Sequence, residues 1–271
     1  MKSLSNSTGG RRVTFRAAFV RNLAAVAALF AVASCATPGD DSAQIADPLE
    51  PVNRYIFAAN LAVDTMLIEP TAQFYRDFVP DPARNSVRNF LRNLETPVIL
   101  ANDVLQGDID AAGVTTRRFF INTTVGLLGL LDPATGMGWE RRDEDFGQTL
   151  GRYGIGPGVY IVLPILGPSS LRDAAGSFVD YYFDPLNYYA ENTDRKSITF
   201  ARAAIRGIDA RARNIETLDE IERTSIDYYA TLRSLYNQRR QSDIRNGTTP
   251  SLPNLDLSSD DEKDRTAALK Q

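Results

Sequence analysis

The apolar residues of this chain come in runs that are too short to cross a bilayer as a helix. Residues 23–33 (LAAVAALFAVA) make an eleven-residue run, against the roughly 20 that a spanning helix needs. Residues 125–131 (VGLLGLL), preceded by Phe119-Phe120-Ile121, and residues 159–166 (VYIVLPIL) are shorter still, and neither carries a charge. Charged groups crowd between them, at residues 140–145. Two readings stand for each run: buried core, or surface lying against lipid. Pro164 inside the second run argues against a regular central strand or helix there.

The first run belongs to an address. Residues 1–34 hold Lys2, Arg11, Arg12, Arg16 and Arg21 and no acid. A basic segment before a short apolar run is the pattern of a secretory signal peptide. The run closes on Val32-Ala33-Ser34-Cys35, which resembles the lipobox of bacterial lipoproteins, where cleavage precedes a lipid-bearing Cys. Cys35 is the single Cys of the chain, and acylation removes a thiol that export would expose to oxidation. Ala36 follows where, by resemblance to enteric lipoproteins, Asp would favour retention in the inner membrane; this points to the outer membrane. Cleavage removes five basic residues and no acid, leaving a net charge near −9.

Composition closes several functional classes. With no His, there is no imidazole base, proton shuttle or His metal ligand. One Cys allows neither an internal disulfide nor a Cys-rich zinc site, so no metal or cofactor is expected. The acidic balance disfavours a general nucleic-acid grip. Gly167-Pro-Ser169-Ser170-Leu171 departs from the G-x-S-x-G elbow in its last residue. The acids Asp143, Glu144 and Asp145 read as a solvated turn rather than a hydrolytic pair. Nothing here points to an enzyme. Without His, lipid handling is expected to vary little between about pH 6 and 8 unless a carboxylate is strongly shifted.

The remaining chain divides into a lipidated Cys and tether (35–48), a body (49–243) and a disordered acidic tail (244–271). The body reads as helix. Val52, Ile56, Ala59, Val63 and Met66 recur at helical steps, with Pro70 as a stop. Val87, Phe90, Leu91 and Leu94 do the same before Pro97. Residues 98–105 and 111–121 form further helices, divided by Gln106-Gly107-Asp108. Ser170 is placed to cap a helix carrying Leu171, Ala174, Phe178 and Val179. Ile198, Ala201, Ile205, Ile208, Ala212 and Ile215 make a stripe over about five turns. Thr224 or Ser225 is expected to cap a last helix with Tyr229, Leu232 and Tyr236. The fold class is all-α with one irregular Gly-rich region. In that region Gly147, Gly151, Gly154, Gly156 and Gly158 read either as tight turns or as a hinge at the base of an apolar hairpin. Tyr181, Tyr182, Phe183, Tyr188 and Tyr189 suit a bilayer–water boundary or an aromatic core.

A resemblance appears once these landmarks are in place. Asp47-Pro-Leu-Glu-Pro-Val-Asn53-Arg54-x-x-Phe57-x-x-Asn60 resembles the start of the MlaA (VacJ) lipoproteins. Asn89-Phe90-x-x-Asn93-Leu94-Glu95-x-Pro97, Leu105-Gln106-Gly107-Asp108, Arg118-Phe119-Phe120-x-Asn122-Thr123, Phe146-Gly147-Gln148-Thr149-Leu150-Gly151, Leu171-Arg172-Asp173 and Arg233-x-x-Tyr236-x-Gln238-Arg239 follow in family order. The match covers about residues 47–240.

This resemblance implies a ring-like helical lipoprotein embedded in one leaflet of the outer membrane. An amphipathic channel would pass mislocalised phospholipid towards the periplasm, to a soluble lipid carrier. Trimeric porins are the implied partners. Residues 119–131 and 159–166 are then candidates for the apolar belt and hairpin. Asn53, Arg54, Phe57, Asn60 and Arg152 are channel or motif candidates, and Gly151, Gly154, Gly156 and Gly158 are hinge candidates. The rival reading is a structural lipoprotein that scaffolds porins without moving lipid.

Overall fold

The computed structural model describes residues 45–246. The signal segment, Cys35, the first part of the tether and the tail after residue 246 lie outside the described residues. No helix among the described residues is long and apolar enough to cross a membrane.

The body is almost wholly helical. Helix α1 (Glu50–Val63) opens with Glu50 and a Pro in its first turn, both favoured where the first N–H groups have no ladder partner. A π-helical turn, Asp64–Ile68, joins it to α2 (Glu69–Phe78). Pro70 therefore does not stop the helix. It falls in the first turn of α2, after the wide turn in which the Glu69 N–H reaches back to Asp64 O. Helix α3 (Asp81–Leu105) likewise runs through Pro97 as one 25-residue helix. Pro97 cannot bond the Asn93 carbonyl. The adjacent Arg92 carbonyl accepts from Arg141 Nη1 (2.9 Å) and Thr96 Oγ1 (3.4 Å), so local polar groups cover the weakened turn.

Then follow α4 (Ile109–Thr124), a four-residue turn α5 (Pro133–Gly136) and α6 (Phe146–Arg152). Strands β1 (Tyr160–Leu163) and β2 (Gly167–Ser170) form an antiparallel hairpin, with Tyr160 opposite Ser170 and Leu163 opposite Gly167. Helices α7 (Leu171–Phe183), α8 (Pro185–Asn192), α9 (Lys196–Arg213), α10 (Ile215–Thr224) and α11 (Tyr228–Ile244) complete the body. Side-chain oxygens of Asp108, Asp132, Asp145, Ser170, Asp184 and Asp227 cap the helices that follow them. Asp227, not Thr224 or Ser225, caps α11, because α10 continues through Thr224 and the chain turns extended at Ser225.

The apolar core is small. Ile45, Tyr160, Val162 and Tyr229 form its centre, with Ile56, Phe57 and Tyr236 packed around them. Ile45 and Asp47, placed in the tether by composition, are part of this body: Ile45 is buried, and Ala46 O accepts the Tyr160 N–H at 3.1 Å.

A candidate lipid-contact surface around a polar interior

The polarity of the body is inverted. Among the described residues, twenty polar or charged side chains are buried against fourteen apolar ones, six of them alanine. Thirty large apolar side chains of the described residues are exposed. Buried polar groups and exposed apolar patches are the two departures from a soluble domain that carry information.

The helical stripes show how this arises. On α1 and the π-helical turn after it the apolar stripe is largely outward: Val52, Val63 and Met66 are exposed, with Tyr55 beside them, while Ile56 packs on the core and Asn53 points inward. Phe74 and Phe78 of α2 stack at 4.4 Å and are also exposed. On α9, Phe200 and Ile205 face out while Asp209 is buried. The periodicity is helical as read, but each stripe divides: Val52, Val63, Met66 and Ile205 face out, while Ile56, Ala212 and Ile215 pack inward.

Of the two apolar runs, residues 125–131 are mostly surface: Val125, Leu127, Leu128, Leu130 and Leu131 are all exposed. Leu127 and Leu128 adopt positive φ (54° and 61°) ahead of Gly129 (92°), a backbone that leucine rarely takes. Beneath this loop, Arg118 donates to Asp132, Thr135 and the Trp139 carbonyl, and Asn122 donates to Asp132. The second run divides. Tyr160 and Val162 are core, whereas Ile165 and Leu166 at the hairpin tip are more than 70% exposed. Tyr182, Phe183, Tyr188 and Tyr189 are exposed too, which favours the boundary reading of that cluster.

Inside, charges are paired across helices, as buried charges require. Glu95 of α3 accepts from Arg141 (3.2 Å) and from Arg206 of α9, and Arg202 pairs with Asp184. Asp209 accepts from Arg88 (3.2 Å) and Arg213 (3.1 Å). Arg240 of α11 grips Asp145 with two bonds (2.7 and 2.9 Å) and Asp173 at 2.9 Å, while Tyr236 donates to Asp173. Burial opposes ionisation of both carboxyls, but Arg240 holds each below the usual range. Among the described residues no cluster of acids, His or Cys is arranged to hold a metal ion.

The expected motif residues prove to be clamps. The side-chain amide of Asn53 donates to Tyr160 O (3.0 Å) and Asp47 Oδ1 (2.8 Å) and accepts from Val162 N (3.0 Å). It covers the free edge of β1 as a neighbouring strand would. Two turns along, Asn60 donates to Leu163 O (2.9 Å) and accepts from Ile165 N (2.8 Å). Ile165 is the centre of the hairpin turn, with φ 67° and a Leu166 N–H to Pro164 O bond of 2.8 Å, a strained geometry for a β-branched residue. Phe57, between the two amides, meets Tyr228 and Tyr229 edge-on at 5.5 Å. Arg54 lies over the Tyr229 ring and pairs with Glu50 and Asp227, tying α1 to the start of α11. Asn53, Asn60 and Arg54 thus use polar atoms to tie α1 to the hairpin and to the start of α11. Arg152 donates to Gln106 Oε1 (2.9 Å) and is half-exposed beside Asp108.

The glycines separate by role. Gly154 (φ 82°) ends α6: its N–H bonds Gly151 O and the Ile155 N–H bonds Leu150 O. That is a Schellman cap, which needs a left-handed residue. A Cβ at Gly151 would lie 2.7 Å from Ile244 Cδ1, so that glycine allows close packing of α11. Gly158 takes φ 70°, while Gly156 has open space and an ordinary φ. Of the four hinge candidates, Gly154 serves a cap, Gly151 a close approach, and Gly158 a left-handed φ.

One group was not visible in the sequence as anything but a surface acid. Glu144 is buried, and its carboxyl is pushed up to about 7, by burial and then by the nearby Asp103 and Asp145 carboxylates, against the Gln106 hydrogen bond. The expected insensitivity between pH 6 and 8 therefore meets its stated exception.

The profile of the MlaA lipoprotein family matches residues 45–243. The chain belongs to the MlaA family. It is 37% identical over 238 residues to the intermembrane phospholipid transport system lipoprotein MlaA of Escherichia coli (strain K12), covering 85% of this chain and 92% of that protein. The namesake of Haemophilus influenzae is 32% identical over 232 residues, covering 83% and 90%. A solved structure, determined for the structural basis of maintenance of bacterial outer membrane lipid asymmetry, superposes with a TM-score of 0.67 at 35% identity. It covers 73% of this chain and 99% of that one. The MlaA fold thus accounts for the helical body, and the family match begins at Ile45, where the structure places the first core residue.

Proposed function

We propose that this chain is the outer-membrane lipoprotein of a phospholipid transport pathway that maintains lipid asymmetry. The reading rests on the inverted polarity of a body whose relatives are phospholipid transport lipoproteins. An apolar exterior without a spanning helix suits residence among acyl chains of one leaflet. A paired polar interior suits passage of a head group, which is costly to bring through hydrocarbon unaided. Residues 125–131, the hairpin tip at Ile165 and Leu166, and the outer faces of α1, α2 and α9 form the lipid-contact surface. The body is held there by acyl chains on Cys35, on the periplasmic face; two or more chains make such anchoring stable. Phospholipid is passed on rather than cleaved, a periplasmic carrier receives it, and trimeric porins are the outer-membrane partners.

The test measures phospholipid in the outer leaflet of cells lacking this chain, by palmitate transfer to lipid A or by a surface phospholipase. A rise in the deletion, reversed by wild type and less well by Cys35→Ala, is expected. No rise would overturn lipid removal and leave a porin scaffold.

A further inference from the structure

The polar interior contains a continuous run of hydrogen bonds that the transport reading does not use. Gln106 at the end of α3 donates through one nitrogen to Glu144 Oε2 (2.9 Å) and to Thr149 Oγ1 (3.1 Å). Thr149, on α6, donates to Asn102 Oδ1 (2.9 Å). Asn102, back on α3, donates to Asp180 of α7 (2.8 Å). Asp180 also accepts the Phe146 N–H that opens α6 (3.0 and 3.2 Å). The run links α3, α6 and α7 and ends in a carboxyl at each side. Helix α6 leads through the Gly154 cap directly into the hairpin.

We propose that Glu144 is a proton-operated latch on α6. Neutral Glu144 stays beneath Gln106 and seats α6 and the hairpin base. Ionised Glu144 swings outward and lets them loosen. The proposal rests on where its neighbours stand. Inward, Asp103 of α3 is fully buried with Thr115 as its hydrogen-bond donor (2.6 Å), and Asp145 is next in the chain. Outward, Arg152 of α6 and Arg142 of the preceding loop are partly exposed, each within 4 Å of Asp108 at the start of α4. From α11, Arg240 is already committed to Asp145 and Asp173, and Asp243 adds a further acid. From α7, Asp180 adds another, pushed up to about 6 by burial and then by Asp145. A charge on Glu144 is therefore repelled by Asp103 and Asp145 and attracted by Arg152 on the outer side. Moving it takes away one of the three bonds by which Gln106 ties α3 to α6 and its flanking loop, the others being to Thr149 and from Arg152. The periplasm follows external pH, so such a latch would couple lipid handling to the medium.

Backbone amide exchange of the full-length protein in detergent tests this without lipid cargo. Failure of the latch is thereby separable from failure of the transport reading. After correction for intrinsic chemistry, protection across residues 146–163 is expected to fall at least tenfold from pH 6 to pH 8.5, with a midpoint near 7. Glu144→Gln should keep the pH 6 protection throughout. Arg142→Ala with Arg152→Ala, both on partly exposed side chains, should move the midpoint upward and serves if Glu144→Gln folds poorly. Flat wild-type protection, a Glu144→Gln profile like wild type, or an unmoved midpoint in the Arg double variant would overturn the latch.

Discussion

Replacing Asn53 tests the clamp on the hairpin most directly, because the site is almost fully buried and each lost bond is identifiable. Asn53→Ala strands the Tyr160 carbonyl and the Val162 N–H, both buried at the free edge of β1. Each unsatisfied buried group costs about 1–3 kcal/mol. The third bond, to Asp47, is replaceable, since Asp47 keeps Tyr229 and Arg233 as donors. The expected loss is about 2–5 kcal/mol, of the same order as a domain's whole stability. In a body of about 200 residues a loss of 3 kcal/mol lowers Tm by roughly 6–12 °C. Asn53→Asp should be worse than alanine at neutral pH. It keeps an acceptor for Val162 N but sets a carboxylate against the Tyr160 carbonyl and against Asp47, where the amide now donates at 2.8 Å. Thermal unfolding of the purified full-length protein in detergent, followed by helical circular dichroism, reads both variants. A loss below about 1 kcal/mol for alanine, or an aspartate milder than alanine, would refute the strand-mimic account.

Three further outcomes follow from the same geometry. Ile165→Gly relieves a left-handed β-branched residue and should raise stability by about 1 kcal/mol, while removing an exposed apolar side chain from the hairpin tip; vesicle flotation should show weaker membrane association, and an unchanged melt would count against the strain. Gly154→Ala should cost about 1 kcal/mol at the α6 cap whereas Gly156→Ala, with open space and ordinary φ, should be nearly silent; equal loss of lipid transport at normal protein level would instead favour the hinge. Glu144 has a folded pKa raised to about 7, so the native state binds the extra proton between the unfolded value of 4.5 and about 7; its contribution is full below pH 4.5 and lost as pH rises through 7, by up to about 3 kcal/mol, and Glu144→Gln should flatten that part of a stability–pH curve.

Much of the fold was legible and its polarity was not. Helical periodicity placed α1, α4, α7 and α9 within a few residues, and Ser170 was identified as a cap because its hydroxyl precedes a run that can use it. Pro70 and Pro97 misled, since a first-turn position and a helix interior with nearby donors both tolerate proline. The clamps escaped for a different reason. Asn53 and Asn60 are seven residues apart, which declares one helix face, but nothing in the sequence says that the partner is a strand edge more than 100 residues away. Glu144 was hidden because three consecutive acids read as solvated, and only the tertiary fold buries one of them.

The outward-facing part of the stripes on α1 and α9 explains why periodicity alone could not decide between core and lipid. A helix with one apolar face signals a boundary between two media, and the moment has no sign until the media are known. In water the apolar face must turn inward. Here the sequence before the body carries a pattern that resembles a lipid-attachment site, and the charged faces carry Arg54, Arg88, Arg202 and Asp209, each with an ionic partner on another helix or its cap. Pairing of that kind serves only if the charged faces meet each other, which sends Val52, Met66, Phe200 and Ile205 outward. The test of this ordering is to make the outer face polar. Met66→Gln with Phe200→Gln removes apolar surface that contacts no core, so stability should change by less than about 1 kcal/mol while membrane association falls. A collapse of the fold in that variant would mean that these side chains pack inward after all.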